Sequence, residues 1–117
     1  MEPRVRPEDV KPRLDDRGVL LIDVRRRPNH EHIPGSVRIE PEDLLLADHI
    51  LLPGGLEQRI VAYCTCPDEA TSASVAEKLR ALGYRHASAL KGGMEGWRRA
   101  HYPLLSRGLQ RNVSIKG

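Results

Sequence analysis

The chain has 117 residues, 39% apolar and 30% charged, with a net charge of +3 from 19 Lys and Arg against 16 Asp and Glu. That length supports one domain with its own core, while the mild, dispersed charge and scarce aromatics (no Phe, one Trp, three Tyr) exclude the stacking and electrostatic footprint of a nucleic-acid binder. No apolar run approaches a membrane span, the N-terminal MEPRVRPEDV has no apolar signal core, and two cysteines two positions apart make a poor disulfide framework, so the expectation is a cytoplasmic protein with catalytic, redox or metal-binding thiols.

In chain order, residues 1–6 supply a short edge strand around Val5, and Pro7-Glu8-Asp9-Val10 opens a helix with Pro in its first turn and acids at its positive end. Pro12 limits that helix, and Asp15-Asp16-Arg17-Gly18 is a turn. Val19-Leu20-Leu21-Ile22 reads as a strand covered on both faces, ending in Asp23-Val24-Arg25. Pro34-Gly35 marks a tight turn before a short strand at Ser36-Val37-Arg38-Ile39. Pro41-Glu42-Asp43-Leu44 opens an apolar helical stretch through Ile50 that Pro53-Gly54-Gly55 ends.

The central stretch runs from Arg59 to Gly83. Ile60-Val61-Ala62-Tyr63 has the length and type of a buried strand. Cys64-Thr65-Cys66-Pro67 follows, and from Thr71 or Ser72 a helix places Val75, Ala76, Leu79 and Leu82 on one face before Gly83 stops it. This order sets a thiol at the carboxyl end of a strand and beside a helix N-terminus, where α/β sheets bind ligands and where free N–H groups favour anions and thiolates. Downstream, His86-Ala87-Ser88-Ala89-Leu90 is a further strand, and Lys91-Gly92-Gly93 bends into a helix carrying Trp97. Pro103 closes the compact part. The basic tail, Leu104 to Gly117, has a short alternation at Val113-Ser114-Ile115 and is expected to fray. The alternation of strands and helices predicts a mostly parallel sheet with helices on both faces.

Four separated motifs, in order, resemble a single-domain rhodanese: Ile22-Asp23-Val24-Arg25, His32-Ile33-Pro34-Gly35-Ser36, Tyr63-Cys64, and Leu90-Lys91-Gly92-Gly93-Met94-Glu95-Gly96-Trp97. The resemblance covers roughly residues 3–103. It implies an open, mostly parallel five-stranded α/β sheet and a sulfurtransferase in which a loop cysteine carries sulfur as a persulfide. The implied donor is thiosulfate or a protein persulfide, and the implied acceptor is cyanide or another thiol. The cycle needs no cofactor and no metal. It needs a depressed thiol pKa and several N–H donors aimed at a negative sulfur. The implied partners are the small-molecule donor and acceptor and a protein thiol, with no nucleic acid or membrane, for a monomer or weak homodimer.

Cys64 directly follows the strand, where the family's catalytic cysteine usually falls, and is the first choice of carrier. Counting back from Gly83 along a typical family loop instead reaches Cys66, which is the alternative nucleophile or a resolving thiol. Pro67 removes one amide close to Cys66. The loop Thr65, Cys66, Asp68, Glu69, Ala70, Thr71 and Ser72 is expected to bind substrate, mainly through backbone N–H groups, with Thr71 either capping the helix or donating to the persulfide. Asp68 and Glu69 either cap that helix or pair with an Arg. If they face the pocket, they raise the thiol pKa and disfavour thiosulfate relative to a thiol or protein donor. Asp23 and Arg25 are expected to support the site by fixing loops through a salt bridge.

Other readings have distinguishing features. Phosphatases and arsenate reductases of this fold need a Cys followed by five residues and an Arg, but the sixth position after Cys64 is Ala70 and after Cys66 is Ser72. His30 and His32 with Cys-x-Cys would make an unusual zinc set. A weakly catalytic binding or regulatory module remains open, supported by the acidic loop and basic tail. So does a dithiol redox protein using Cys64 and Cys66, whose small ring would be easily reduced.

Overall fold

The computed structural model describes residues 4–65, 69–106 and 110–112. Its strands are β1 (Arg4–Val5), β2 (Leu20–Asp23), β3 (Val37–Arg38), β4 (Ile60–Tyr63), β5 (Ala87–Leu90) and β6 (Arg111–Asn112). They lie side by side in the order β1-β5-β4-β2-β3-β6, and every pair is parallel. The first five form the expected sheet, and β6 extends it by two residues beside β3. Four helices, α1 (Pro7–Asp15), α2 (Pro41–Leu46), α3 (Ala70–Ala81) and α4 (Gly93–Arg99), cover it.

The side-chain alternation of β4 divides the core into two layers. Ile60 and Ala62 pack with Leu44 of α2 and Val75, Ala76 and Leu79 of α3. Val61 and Tyr63 point the other way, into a layer with Val10 of α1 and Met94 and Trp97 of α4. All four β4 positions are buried, as expected for the middle of a parallel sheet with both faces covered.

Sequence position predicts where a site must form. From β2 the chain moves outward to β3, whereas from β4 it moves the opposite way to β5. The reversal falls between β2 and β4, where Asp23 is in register with Tyr63. The crevice outside the carboxyl ends of those two strands is therefore the topological binding position of the sheet.

Three elements differ from expectation. Helix α1 runs through Pro12 to Asp15, because buried Val10 and partly buried Leu14 still pack on the α1–α4 layer. Helix α2 stops at Leu46, where Ala47 turns extended with ψ 142°. The Tyr84 hydroxyl donates to the Ile50 carbonyl at 2.8 Å and accepts from the Leu52 N–H at 2.9 Å, holding that segment as a core-filling loop. The tail is tied down where described: Leu105 and His32 exchange two backbone hydrogen bonds at 2.9 Å, and β6 joins the sheet. The expected alternation at 113–115 lies outside the described residues.

Candidate active site

Two corners flank the crevice between β2 and β4. At the β2 corner, Asp23 and Arg25 form a bidentate pair, Nε to Oδ1 at 2.9 Å and Nη2 to Oδ2 at 2.7 Å, with the Arg25 N–H adding 3.1 Å to Oδ1. The guanidinium also donates to the Asn29 side chain at 3.2 Å and the Glu31 carbonyl at 2.8 Å, tying the loop after β2 to the sheet. Its carbon lies 5.6 Å from the centre of the Tyr63 ring. Both charged groups are almost wholly buried. Burial alone would raise the Asp23 carboxyl, but hydrogen bonds from Arg25 and Gln110 with the adjacent positive charge outweigh it and hold the group below its ordinary value. The same burial, with the Asp23 charge, pushes the Tyr63 phenol up to about 12, so it stays protonated. Asp23 and Arg25 thus meet as the sequence suggested, in a loop-fixing pair.

Gln110 has no counterpart in the sequence reading. Its amide donates to Asp23 Oδ2 at 3.0 Å and to Ser36 Oγ at 2.8 Å, and Ser36 shares a 3.0 Å hydrogen bond with the Tyr63 hydroxyl. A contact spanning 87 residues carries no local signal.

The second corner is the end of β4. Cys64 continues the β4 alternation onto the side of Ile60 and Ala62, is fully buried, and sits in the α2–α3 layer. Its Sγ lies 3.4 Å from Ser72 Oγ, and that hydroxyl is 3.3 Å from the Glu69 carbonyl. The Cys64 carbonyl accepts the Met94 N–H at 3.1 Å. Gly93 makes this approach possible: at φ +56°, a Cβ there would stand 2.2 Å from the Cys64 oxygen. The paired glycines after β5 therefore bend the backbone directly against the cysteine-bearing strand end.

Of the expected substrate loop, Thr65 is exposed, Ala70 is an exposed first residue of α3, and Thr71 and Ser72 are buried in its first turn. Cys66 and Asp68 lie outside the described residues. Glu69 occupies the N-cap position in a left-handed conformation, φ 54° and ψ 37°, an unusual state for a residue with a Cβ. Its side chain makes no capping bond and pairs instead with Arg4 at 3.1 Å. The first-turn N–H groups of α3 are consequently not taken up by that side chain. Among the described residues, no three His, Cys, Asp or Glu side chains gather as a metal set.

A family model described as the rhodanese-like domain matches residues 6–100. No curated protein matches the sequence. Among solved structures, an Anabaena sp. protein is 27% identical with a TM-score of 0.73, over 88% of this chain and 82% of that one. A rhodanese-related protein from Thermoplasma volcanium is 21% identical with a TM-score of 0.72, over 89% and 98%. A thiosulfate sulfurtransferase from Pseudomonas aeruginosa is 27% identical with a TM-score of 0.72, over 94% of this chain but 20% of the larger protein.

Proposed function

This chain belongs to the rhodanese-like domain family, and from that premise we propose that it is a cytoplasmic sulfurtransferase working through a cysteine persulfide on the loop between β4 and α3. The observation that carries the reading is the loop's position. It leaves the strand beside the crevice and leads to the start of a twelve-residue helix whose N-cap residue, Glu69, makes no side-chain capping bond, with the Gly93 turn packed against the Cys64 carbonyl. The positive end of the helix dipole favours a negative sulfur there.

In the proposed cycle, the loop thiolate attacks the outer sulfur of thiosulfate or a persulfide. The new S–S bond forms as the donor's bond breaks, and sulfite or a thiolate leaves with the electron pair. Cyanide or an acceptor thiolate then attacks the outer sulfur of the enzyme persulfide and releases the enzyme thiolate. No net oxidant or metal enters.

The sequence order ranked Cys64 before Cys66. Full burial of Cys64 in the α2–α3 layer supports the reverse, because a carrier sulfur must meet a donor and then an acceptor. In this assignment Cys66 carries the persulfide, while Cys64 is a packing residue whose thiol touches Ser72. Turnover of thiosulfate and cyanide tests the assignment. Cys66→Ser is expected to abolish it and Cys64→Ala to retain most of it; the opposite pattern would restore Cys64 as carrier. No turnover by wild type with either thiosulfate or a persulfide donor would favour the binding-module reading.

A further inference from the structure

A cleft of about 270 Å³ opens between α1 and the starts of β2 and β4, at the end of the sheet opposite the proposed persulfide loop. We infer that it binds a small branched-chain aliphatic monocarboxylate, its hydrocarbon body lying on a floor of valines and its carboxylate held by Arg13 and Arg59. This inference goes beyond the sulfurtransferase reading and does not depend on it.

The floor follows from the alternation of β4. Val61 faces away from Ile60, Ala62 and Cys64, into the layer that also holds Val10 of α1 and Val19 before β2. These three are buried, and partly buried Val5 of the edge strand β1 completes the lining. Four valine side chains present only methyl groups, held in place by their stiff χ1 angles. No side chain of the floor donates or accepts a hydrogen bond, so it selects a hydrocarbon body. The cleft's volume of about 270 Å³ lies between the roughly 150 Å³ that encloses a benzene-sized body and the roughly 300 Å³ at which sites for drug-sized ligands begin. A branched chain of about five carbons suits that space.

The rim supplies the charge. The Arg13 carbonyl accepts the Gly18 N–H at 2.7 Å, and the Arg59 carbonyl accepts the Leu20 N–H at 2.9 Å, so the backbone of both arginines is fixed where the chain enters β2 and β4. Their side chains, in contrast, are exposed and make no hydrogen bond or ion pair among the described residues. Asp9 also lines the cleft, but its carboxylate is paired with Arg6 at 3.2 Å. The uncommitted charge at the rim is therefore positive, and a guanidinium holds a carboxylate through two parallel hydrogen bonds. An anionic head on an aliphatic body complements both halves of the cleft, whereas a cation or a purely polar anion complements neither or only one. Arg59 precedes β4 and Cys64 follows it, a separation of about 16 Å along the strand at about 3.3 Å per residue. A ligand of this size does not bridge that distance, so the two sites are separate.

The test is a titration of the full chain with isovalerate, followed by methyl NMR. Saturable shifts are expected at the Val10, Val19 and Val61 methyl groups. Isovaleramide, which lacks the charge, and acetate, which lacks the branched body, are each expected to bind at least about tenfold more weakly. The Arg13→Gln/Arg59→Gln double variant changes two exposed side chains and should bind isovalerate about tenfold more weakly, with its affinity for isovaleramide unchanged. Added salt should weaken binding of the acid and not of the amide. No saturable shift with isovalerate, shifts away from the valines, equal affinities for acid and amide, or a double variant that binds as wild type would overturn the site. Tighter binding of acetyl-glycyl-leucine would make the occupant a peptide carboxyl terminus and overturn the small-molecule assignment. Each readout is of binding, so it stands whether or not the chain turns over thiosulfate.

Discussion

The two corners of the crevice are built from neighbouring strand ends yet held in opposite ways. At Asp23 every charged atom is matched: two guanidinium contacts, a backbone N–H and the Gln110 amide converge on one carboxylate. Among the described residues, the Cys64 side chain has one long sulfur–oxygen contact, and α3 begins after a left-handed Glu69 whose side chain pairs with Arg4. The first corner is tightly held, because removing either Asp23 or Arg25 leaves its partner's charge buried and unpaired. At the second, the Glu69 side chain does not cap α3, which suits the proposed task of accepting and releasing an anionic sulfur.

Substitutions can break this contrast, beginning with the locked corner. Asp23→Ala leaves the Arg25 guanidinium buried and unpaired, and denaturant unfolding should show a loss of about 3–5 kcal/mol. Gly93→Ala attacks the joint between the corners. The left-handed conformation and the collision with the Cys64 oxygen together should cost about 2–4 kcal/mol, with a displaced Met94 amide resonance as the accompanying sign.

Acid titration sharpens the contrast without removing an atom from the backbone. The folded Asp23 value lies below the unfolded one of about 3.9, so its contribution is complete above that pH and is lost as pH falls through the lowered folded value. The stability difference between wild type and Asp23→Asn should thus be flat near neutrality and shrink below about pH 4. The smallest effect belongs to the looser corner. Arg4→Ala removes a partly exposed pair and should cost about 0.2–1 kcal/mol in stability. A loss several times larger would mean that Glu69 is as firmly constrained as Asp23.

Much of this arrangement was legible in local pattern. The apolar runs gave β2 and β4, the spacing of Val75, Ala76 and Leu79 gave the buried face of α3, and Gly92-Gly93 marked the turn beside the loop. The burial of Cys64 was also implicit, since period two carries Ile60 and Ala62 onward to Cys64 on one face. Proximity to the strand end favours Cys64 as carrier, whereas side-chain direction buries it. Other features depend on distant partners. Tyr84 makes the α2 extension an irregular loop, Arg4 reaches Glu69 across 65 residues, and Gln110 ties the tail to Asp23. Such contacts leave no periodic trace in the chain that makes them.

The most direct test is intact-protein mass spectrometry after incubation with thiosulfate or a persulfide donor, comparing wild type, Cys64→Ala and Cys66→Ser. The account predicts a sulfur adduct of about 32 Da, one sulfur atom held as a persulfide, on wild type and Cys64→Ala but not on Cys66→Ser. An adduct that persists in folded Cys66→Ser and disappears from folded Cys64→Ala would contradict the assignment. No adduct on wild type with either donor would contradict the sulfurtransferase itself.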